Sequence, residues 1–190
     1  MNKLWMIVLL FIVVGCGGVE KCEHLNVKTV YAEGDWFALD KEVICEDCDE
    51  SIENSSIQRL EYVYNRKLFN ESGIALTIDK VTIDGWGSIV MHFTVEGTAT
   101  SGRTISIENM YINDIAVNGM LYVSDIKDHK KSIEEVYLYD GIEAKDLLLN
   151  QDYLVELEYQ ITNSTSYEKL KSGSVSFNLN EYNILKEISE

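Results

Sequence analysis

Apolar and polar residues alternate through most of the chain after Leu68, with the period of two that is typical of strands buried on one face. The clearest run is 153–161, where Glu and Gln lie between the apolar positions. Further strands are predicted over 74–83, 89–95, 105–112, 121–123, 133–139 and 174–179. Seven or eight short strands separated by turn residues predict a mainly β fold, an antiparallel β-sandwich at 66–180, with a C-terminal tail at 181–190.

The turns of the predicted sandwich are assigned to Gly, Asn, Asp and Ser, because the chain contains no proline. The dipeptide Asn118-Gly119 predicts a hairpin, since both residues accept the backbone angles of the tightest hairpin turns. The alternation breaks at 84–87 and at 97–102, where loops are expected. Residues 141–149 predict one helical turn that crosses the end of the fold.

Residues 22–48 form a separate predicted unit, bounded by cysteines at both ends. Its predicted elements are strands over 26–31 and 36–44 and a hairpin turn at 33–35. A unit of this size cannot build a sizeable core of its own, so its folding needs another source of free energy.

A linker is predicted at 49–65, between this unit and the sandwich. Ile57, Leu60 and Tyr64 lie at helical spacing and predict a short helix within it. A strand over 60–64 is the alternative that the same residues permit.

The first residues have the pattern of a secretory signal peptide at 1–15. Lys3 gives a positive start, residues 4–14 form an uncharged apolar run, and a small residue precedes Cys16. The run is shorter than the roughly 20 residues that a membrane-spanning helix needs. Residues 16–21 then form a short tether.

A cysteine after an aliphatic-x-small triplet resembles the lipobox of bacterial lipoproteins. The resemblance implies that Cys16 becomes the N-terminus and carries acyl chains, palmitate among them, on its amine and thiol. Two chains are needed because one chain binds a membrane only marginally. The protein would then be lipid-anchored at the outer face of the cytoplasmic membrane. An ordinary signal peptide or an uncleaved anchor is the alternative.

The chain is strongly acidic, with 16 basic and 32 acidic residues and a net charge of −16. Such a polyanion repels nucleic-acid phosphates, so no nucleic-acid partner is expected. It also repels anionic lipid headgroups, so attachment to a membrane has to come from the lipid on Cys16.

Four residues of the N-terminal unit have the chemistry of metal ligands: Cys22, His24, Cys45 and Cys48. Three thiolates and one imidazole complete the tetrahedral shell of a structural zinc ion and leave no open position. The pattern resembles small zinc-ribbon-like units with Cys-x-His and Cys-x-x-Cys in secreted bacterial proteins. It departs from the commoner ribbon because one residue, not two, separates the first two ligands.

A disulfide is the main alternative to zinc, because thiols outside the membrane can be oxidised. If Cys16 is acylated, three cysteines remain, and any disulfide scheme leaves one over. A catalytic redox Cys-x-x-Cys requires a thioredoxin-like βαβ setting, which the predicted strands do not provide.

Residues 72–126 resemble a family of small extracytoplasmic lipoproteins from Gram-positive bacteria that carry an immunoglobulin-like domain of uncharacterised function. The similar elements are the strand leading to Trp86, the return strand at 89–95 and the Asn118-Gly119 hairpin. The resemblance implies a fold and a location, not an activity. No cysteine pair is placed to bridge the two sheets, so the antibody-type disulfide is absent from the sequence.

No pairing of nucleophile and base is recognisable, and no Gly-x-Ser-x-Gly motif occurs. His92 is predicted on the strand face opposite to Met91, and His129 in a charged, solvated loop. The sequence therefore predicts a non-catalytic module that binds extracytoplasmic proteins or other ligands. The alternative is a metal-handling or redox protein that uses the Cys/His cluster.

Overall fold

A computed structural model of the protein describes residues 24–33, 39–57, 59–84, 87–138 and 153–188. The predicted signal peptide, the tether with Cys16, and Cys22 lie outside these residues, as do Trp86 and the predicted helical turn at 141–149. Within the described ranges, no helix is long and apolar enough to cross a membrane.

The described residues form β-strands joined by turns, and the pairings between strands are antiparallel. The strands are β1 (Val27–Glu33), β2 (Leu39–Cys45), β3 (Ser51–Ile57), β4 (Arg59–Glu71), β5 (Ile74–Asp84), β6 (Ile89–Gly97), β7 (Arg103–Ile112), β8 (Ile115–Val117), β9 (Leu121–Ile126), β10 (Lys131–Leu138), β11 (Leu154–Asn163), β12 (Lys169–Asn178) and β13 (Ile184–Ile188). The predicted mainly β, antiparallel fold is thus confirmed.

These strands form three sheets. The N-terminal sheet has the order β1-β2-β3. Sheet I has the order β10-β6-β5-β4-β13, and sheet II has the order β12-β11-β7-β8, with β9 also paired to β7. The ion pair between Lys41 of β2 and Glu187 of β13, at 2.8 Å, connects the N-terminal sheet to sheet I.

Sheets I and II bury their apolar faces in one shared hydrophobic cluster. Sheet I contributes the alternate β6 residues Ile89, Met91, Phe93 and Val95, and sheet II contributes Val155, Leu157 and Ile161 of β11. Because strand side chains point alternately to opposite faces, each run with a period of two has one buried side and one polar side. The strands predicted from alternation therefore build most of the core, to which β4 adds Leu60, Tyr62 and Tyr64.

The helix predicted between the two units is wrong, because residues 51–57 and 59–71 are strands β3 and β4. Leu60, Tyr62 and Tyr64 are all buried, which is the spacing of a strand and not of a helix. The alternative strand over 60–64 is correct. Positions 60 and 64 are four residues apart and satisfy both periods, and the burial of Tyr62 between them identifies the strand.

The predicted C-terminal tail contains a strand as well. Residues of β13 pair with β4, with Ile184 opposite Val63. The Asn183 side chain donates a hydrogen bond to the Tyr64 carbonyl at 2.6 Å, and its backbone N–H donates to the Val63 carbonyl at 2.8 Å. This segment was missed because it is short and mostly exposed, so its sequence has weak alternation.

The hairpin predicted at Asn118-Gly119 is also wrong. The chain reverses at Asn113 and Asp114, between β7 and β8, and both residues have positive φ angles of 48° and 65°. Strands β8 and β9 each pair with β7, so the Asn-Gly dipeptide only connects two segments on one edge. Asn and Asp both accept positive φ, and the pairing with β7 decides which pair of residues forms the turn.

Candidate metal site

The turn between β2 and β3 positions two of the predicted ligands. Cys45 is the last residue of β2, and its carbonyl accepts a hydrogen bond from the Asp49 N–H at 2.8 Å. The Cys45 N–H donates to the Glu50 carbonyl at 2.9 Å, and Asp49 has a φ of 56°. The backbone therefore turns tightly and brings Cys48 back towards Cys45.

The segment before β1 brings His24 to the same turn. The Asn26 carbonyl accepts a hydrogen bond from the Glu46 N–H at 2.9 Å, and the Asn26 side chain donates to the Asp47 carboxylate at 3.2 Å. His24 itself has a φ of 50°, which directs the chain across the turn. The antiparallel pairing of β1 with β2 thus places the imidazole beside the Cys-x-x-Cys turn, whereas the predicted hairpin turn at 33–35 lies largely outside the described residues.

His24, Cys45 and Cys48 form a group that can hold a metal ion, with all ligand atoms within 4.8 Å of one another. His24 Nδ1 lies 3.8 Å from Cys48 Sγ. In a tetrahedral zinc site, bonds of about 2.3 Å to sulfur and about 2.05 Å to nitrogen separate the two ligand atoms by about 3.6 Å. The observed separation is therefore close to that of a loaded site. Among the described residues, it is the one group of His, Cys, Asp and Glu with this geometry.

Burial differs among the three ligands. Cys45 is completely buried, His24 is half-buried and Cys48 is exposed. His24 Nε2 faces Glu50, whose Oε2 lies 3.6 Å away, while Nδ1 faces Cys48. Glu50 was missed by the sequence analysis because nothing distinguishes it from the other acidic residues of the chain. The structure places its carboxylate near the ring nitrogen that does not face Cys48, at a distance longer than a hydrogen bond.

The fourth predicted ligand, Cys22, lies outside the described residues, as does Cys16. The structure therefore brings together three of the four residues predicted for zinc. Zinc binding by this group stays a prediction, and a disulfide stays its alternative.

A second polar cluster, also missed from the sequence, lies on the outer face of sheet I. Glu61 is buried and contacts Lys80 Nζ at 2.6 Å and Arg59 Nη2 at 3.1 Å. Burial by itself would raise the pKa of Glu61. The hydrogen bond from Lys80 and the charges of Lys80 and Arg59 together outweigh it and hold the pKa below its usual value. Glu61 is consequently a structural carboxylate that stays ionised.

His92 belongs to the same face, as predicted. It is mostly buried, with Nε2 at 3.0 Å from Thr82 Oγ1 and Nδ1 at 3.4 Å from the Glu135 carboxylate. Burial lowers the pKa of His92, and the charge of Lys80 lowers it further, more than Glu135 raises it. His129 is solvent-exposed in its loop, as predicted, beside Asp128 at 3.3 Å.

A shallow groove of about 420 Å³ crosses the outer face of sheet II. On the β12 side its lining consists of Ser172, Gly173 and Ser174, which have small side chains or none. Glu158 forms another part of its lining and accepts a hydrogen bond from Asn109 Nδ2 at 2.6 Å. The groove therefore offers hydroxyl, amide and carboxylate groups to a polar ligand.

No family model, curated protein or solved structure matches the chain. The lipoprotein family and the immunoglobulin-like fold expected from residues 72–126 stay predictions.

Proposed function

We propose that this protein is a lipid-anchored extracytoplasmic binding protein, in which a structural zinc ion holds the N-terminal sheet beside an immunoglobulin-like β-sandwich. The observation that carries the proposal is the convergence of His24, Cys45 and Cys48, whose ligand atoms lie within 4.8 Å of one another. Two sulfur ligands and one imidazole favour zinc over calcium or magnesium, which prefer oxygen.

Cys22 supplies the fourth ligand in this proposal. It lies two residues before His24, so one short segment contributes two ligands and the β2–β3 turn contributes the other two. This division matches the zinc-ribbon-like arrangement, in which two short segments each supply two ligands and a hairpin joins them. A closed set of four protein ligands makes the ion structural, because no coordination position remains for water or substrate.

The small core of the N-terminal sheet supports a role for the metal in folding. Among its described residues with assigned burial, only Cys45 and Ile57 are buried. Three strands need a hydrophobic face or a packing partner for independent stability. Zinc binding supplies free energy of about 10–16 kcal/mol in comparable small units, which offsets the missing core.

The lipid anchor and the binding role rest on the sequence and on the two large sheets. The apolar run before Cys16 supports export and acylation. The two five-stranded sheets share one core, which supports a sandwich with an immunoglobulin-like arrangement. The polar groove on sheet II gives a non-catalytic module a surface on which to bind a ligand.

Metal handling is the second candidate, and the exposure of Cys48 favours it. An exposed thiolate is accessible to competing ligands, so an ion held there exchanges faster than one in a buried site. The rate of exchange with labelled zinc distinguishes the two roles: hours or longer for a structural ion, and seconds to minutes for a transferred one.

Metal content of the full chain, purified without chelator, tests the zinc proposal. We expect one zinc ion per chain in the wild type and a loss of zinc in Cys45→Ser and His24→Gln. His129→Gln is the matched control, because it removes an exposed histidine far from the cluster in sequence, and its zinc content should equal that of the wild type. Zinc-free protein after purification under reducing conditions would refute the proposal.

Fractionation of cells that express the full chain tests the anchor. We expect a mature chain that begins at Cys16, carries acyl chains and sediments with membranes. Cys16→Ser should abolish acylation and leave the segment before it uncleaved. A mature wild-type chain that retains Met1, or that has no lipid on Cys16, would contradict this part of the proposal.

A further inference from the structure

Strand β12 is an unusually open edge of sheet II. It is ten residues long, and among the described strands it pairs only with β11. Residues 169–174 are all exposed. The segment 172–178 contains no charged residue, and the chain has no proline. Natural proteins protect exposed edges with charges, prolines, bulges or short strands, because an open edge recruits another strand.

The first part of β12 has such protection, because it carries Lys169 and Lys171 and its register with β11 shifts between Ile161 and Thr162. The other outer strands of sheets I and II in the described residues are protected as well. β10 carries Lys131, Glu134 and Glu135, and β13 is only five residues long. β8 and β9 are three and six residues long. The central part of β12 is therefore the one long uncharged edge among the strands of sheets I and II that the structure describes.

The hydrogen bonds of β11 and β12 determine which peptide groups face outwards. The Leu179 N–H donates to the Tyr153 carbonyl at 2.9 Å, and these two residues are in register with Val155 opposite Phe177. In an antiparallel ladder, hydrogen-bonded residues alternate along each strand. Odd-numbered residues of β12 therefore bond to β11, and the N–H and C=O groups of Ser172, Ser174 and Ser176 point to the open edge.

We propose that β12 pairs with β12 of a second copy of this chain, antiparallel, about a two-fold axis through Ser174. Outward-facing residues must lie opposite one another, which limits the pairing to registers that join even-numbered residues. With Ser174 opposite its copy, Ser172 lies opposite Ser176, and the pairing forms about six backbone hydrogen bonds. The result is one continuous sheet across both copies.

The side chains in this register are compatible with one another. On the outer face Ser172, Ser174 and Ser176 lie opposite serines, and on the other face Gly173 lies opposite Val175. Phe177, opposite Lys171, is buried in the core of its own copy. A Cβ at Gly173 would lie 3.0 Å from the Tyr159 hydroxyl, so a side chain there would require a small shift of the Tyr159 ring. No lysine faces a lysine, so the register avoids the like-charge pairs that destabilise antiparallel strands. This compatibility of the edge with its own copy is why a second copy, and not an unrelated strand, is the proposed occupant.

Charge repulsion does not prevent this association at physiological salt. The net charge is −16, but the nearest outward carboxylate beside the centre of the edge is that of Glu158, opposite Ser174 on β11. The two copies of Glu158 would be separated by three strand spacings, about 14 Å. This distance exceeds the Debye length of about 8 Å at 0.15 M salt. Association should therefore strengthen as salt is raised from low values.

Sedimentation of the full chain tests the proposal, in reducing buffer with a density-matched nonionic detergent. We expect a reversible dimer at concentrations of 10–500 µM. Ser174→Pro should raise the dissociation constant at least tenfold, because it removes the outward N–H at the centre of the interface and none of the hydrogen bonds to β11. Ser174→Ala is the matched control and should dimerise like the wild type.

Hydrogen exchange gives a second measurement that does not depend on a variant. The amides of Ser172, Ser174 and Ser176 should exchange slowly at high protein concentration and quickly after dilution. The amides of Gly173 and Val175 should stay protected at both concentrations, which also shows that β12 is folded. A wild-type chain that is monomeric at 500 µM would overturn the proposal. So would a Ser174→Pro dimer of unchanged affinity, or outward amides that stay protected in the monomer. These outcomes do not depend on whether zinc is bound.

Discussion

Replacing Glu61 by glutamine tests how sheet I tolerates a buried charge. Among the described residues, Glu61 is the one charged residue that is buried. Its carboxylate accepts a hydrogen bond from Lys80 at 2.6 Å and pairs with Arg59 at 3.1 Å. Glu61→Gln keeps the size of the side chain and removes the charge, so the loss measures the ionic contacts and not a cavity.

The expected loss is about 2 kcal/mol of unfolding free energy at pH 7. Hydrogen bonds that involve charged groups contribute roughly 1.5–3 kcal/mol each when buried. Part of this stabilisation is kept in Glu61→Gln, because the glutamine oxygen still accepts one hydrogen bond. Lys80 and Arg59 keep side-chain exposures of 30% and 45%, so both cations still contact water. The loss is therefore smaller than for a fully buried pair.

The loss should depend on pH. The pKa of Glu61 is lower in the folded protein than its usual value of 4.5, so its ionised form stabilises the fold above about pH 4.5. That stability disappears as the pH falls through the folded-state pKa, because the carboxylate becomes protonated in both states. The difference between wild type and Glu61→Gln should then decrease from pH 7 towards pH 3.

Urea denaturation followed by far-ultraviolet circular dichroism at several pH values measures the loss of unfolding free energy at pH 7 and its dependence on pH. Glu181→Gln is the control, because Glu181 pairs with Arg66 at 2.5 Å while both side chains are largely exposed. An exposed pair contributes at most about 1 kcal/mol. If Glu61→Gln costs no more than Glu181→Gln, or if its cost is the same at pH 7 and pH 3, the assignment of a buried stabilising charge is wrong.

Three further predictions concern other parts of the molecule. Because the pKa of His92 lies below 6.5 in the folded state, wild-type stability should fall as the pH drops below about 6.5, and His92→Gln should remove that part of a urea pH profile. Chelation of zinc should accelerate amide exchange in β1 and β2 while β6 stays protected, as measured by mass spectrometry; equal acceleration in both sheets would contradict a local role for the metal. Asn113→Ala should lower the unfolding free energy by about 2 kcal/mol in chemical denaturation, because alanine disfavours positive φ and removes the Oδ1 that accepts the Leu154 N–H at 2.8 Å. Asn118→Ala, at a residue without positive φ, should cost less, and equal effects would contradict the turn assignment.

The candidate metal site was largely predictable because its ligands are close in sequence. The Cys-x-x-Cys pair needs only the tight turn after β2, and His24 reaches it through the pairing of β1 with β2. Glu50 was not predictable, because its role depends on the direction in which the His24 ring points. A backbone turn fixes a ligand's position, whereas the neighbour of a side chain is decided by the packed structure.

The sequence by itself determined most strands of the core, with β4 the exception, since alternation of apolar and polar residues is a local property that commits a segment to one buried face. Only the tertiary structure decided the partners of those strands. The pairing of β13 with β4 joins segments more than 100 residues apart, and the choice of Asn113 over Asn118 for the turn depends on register with β7. The same holds for Glu61, whose acidic side chain is stable in its buried position only because Lys80 is brought beside it from the neighbouring strand. Local periodicity encodes which face is buried, but hydrogen-bond register between distant strands sets which side chains meet.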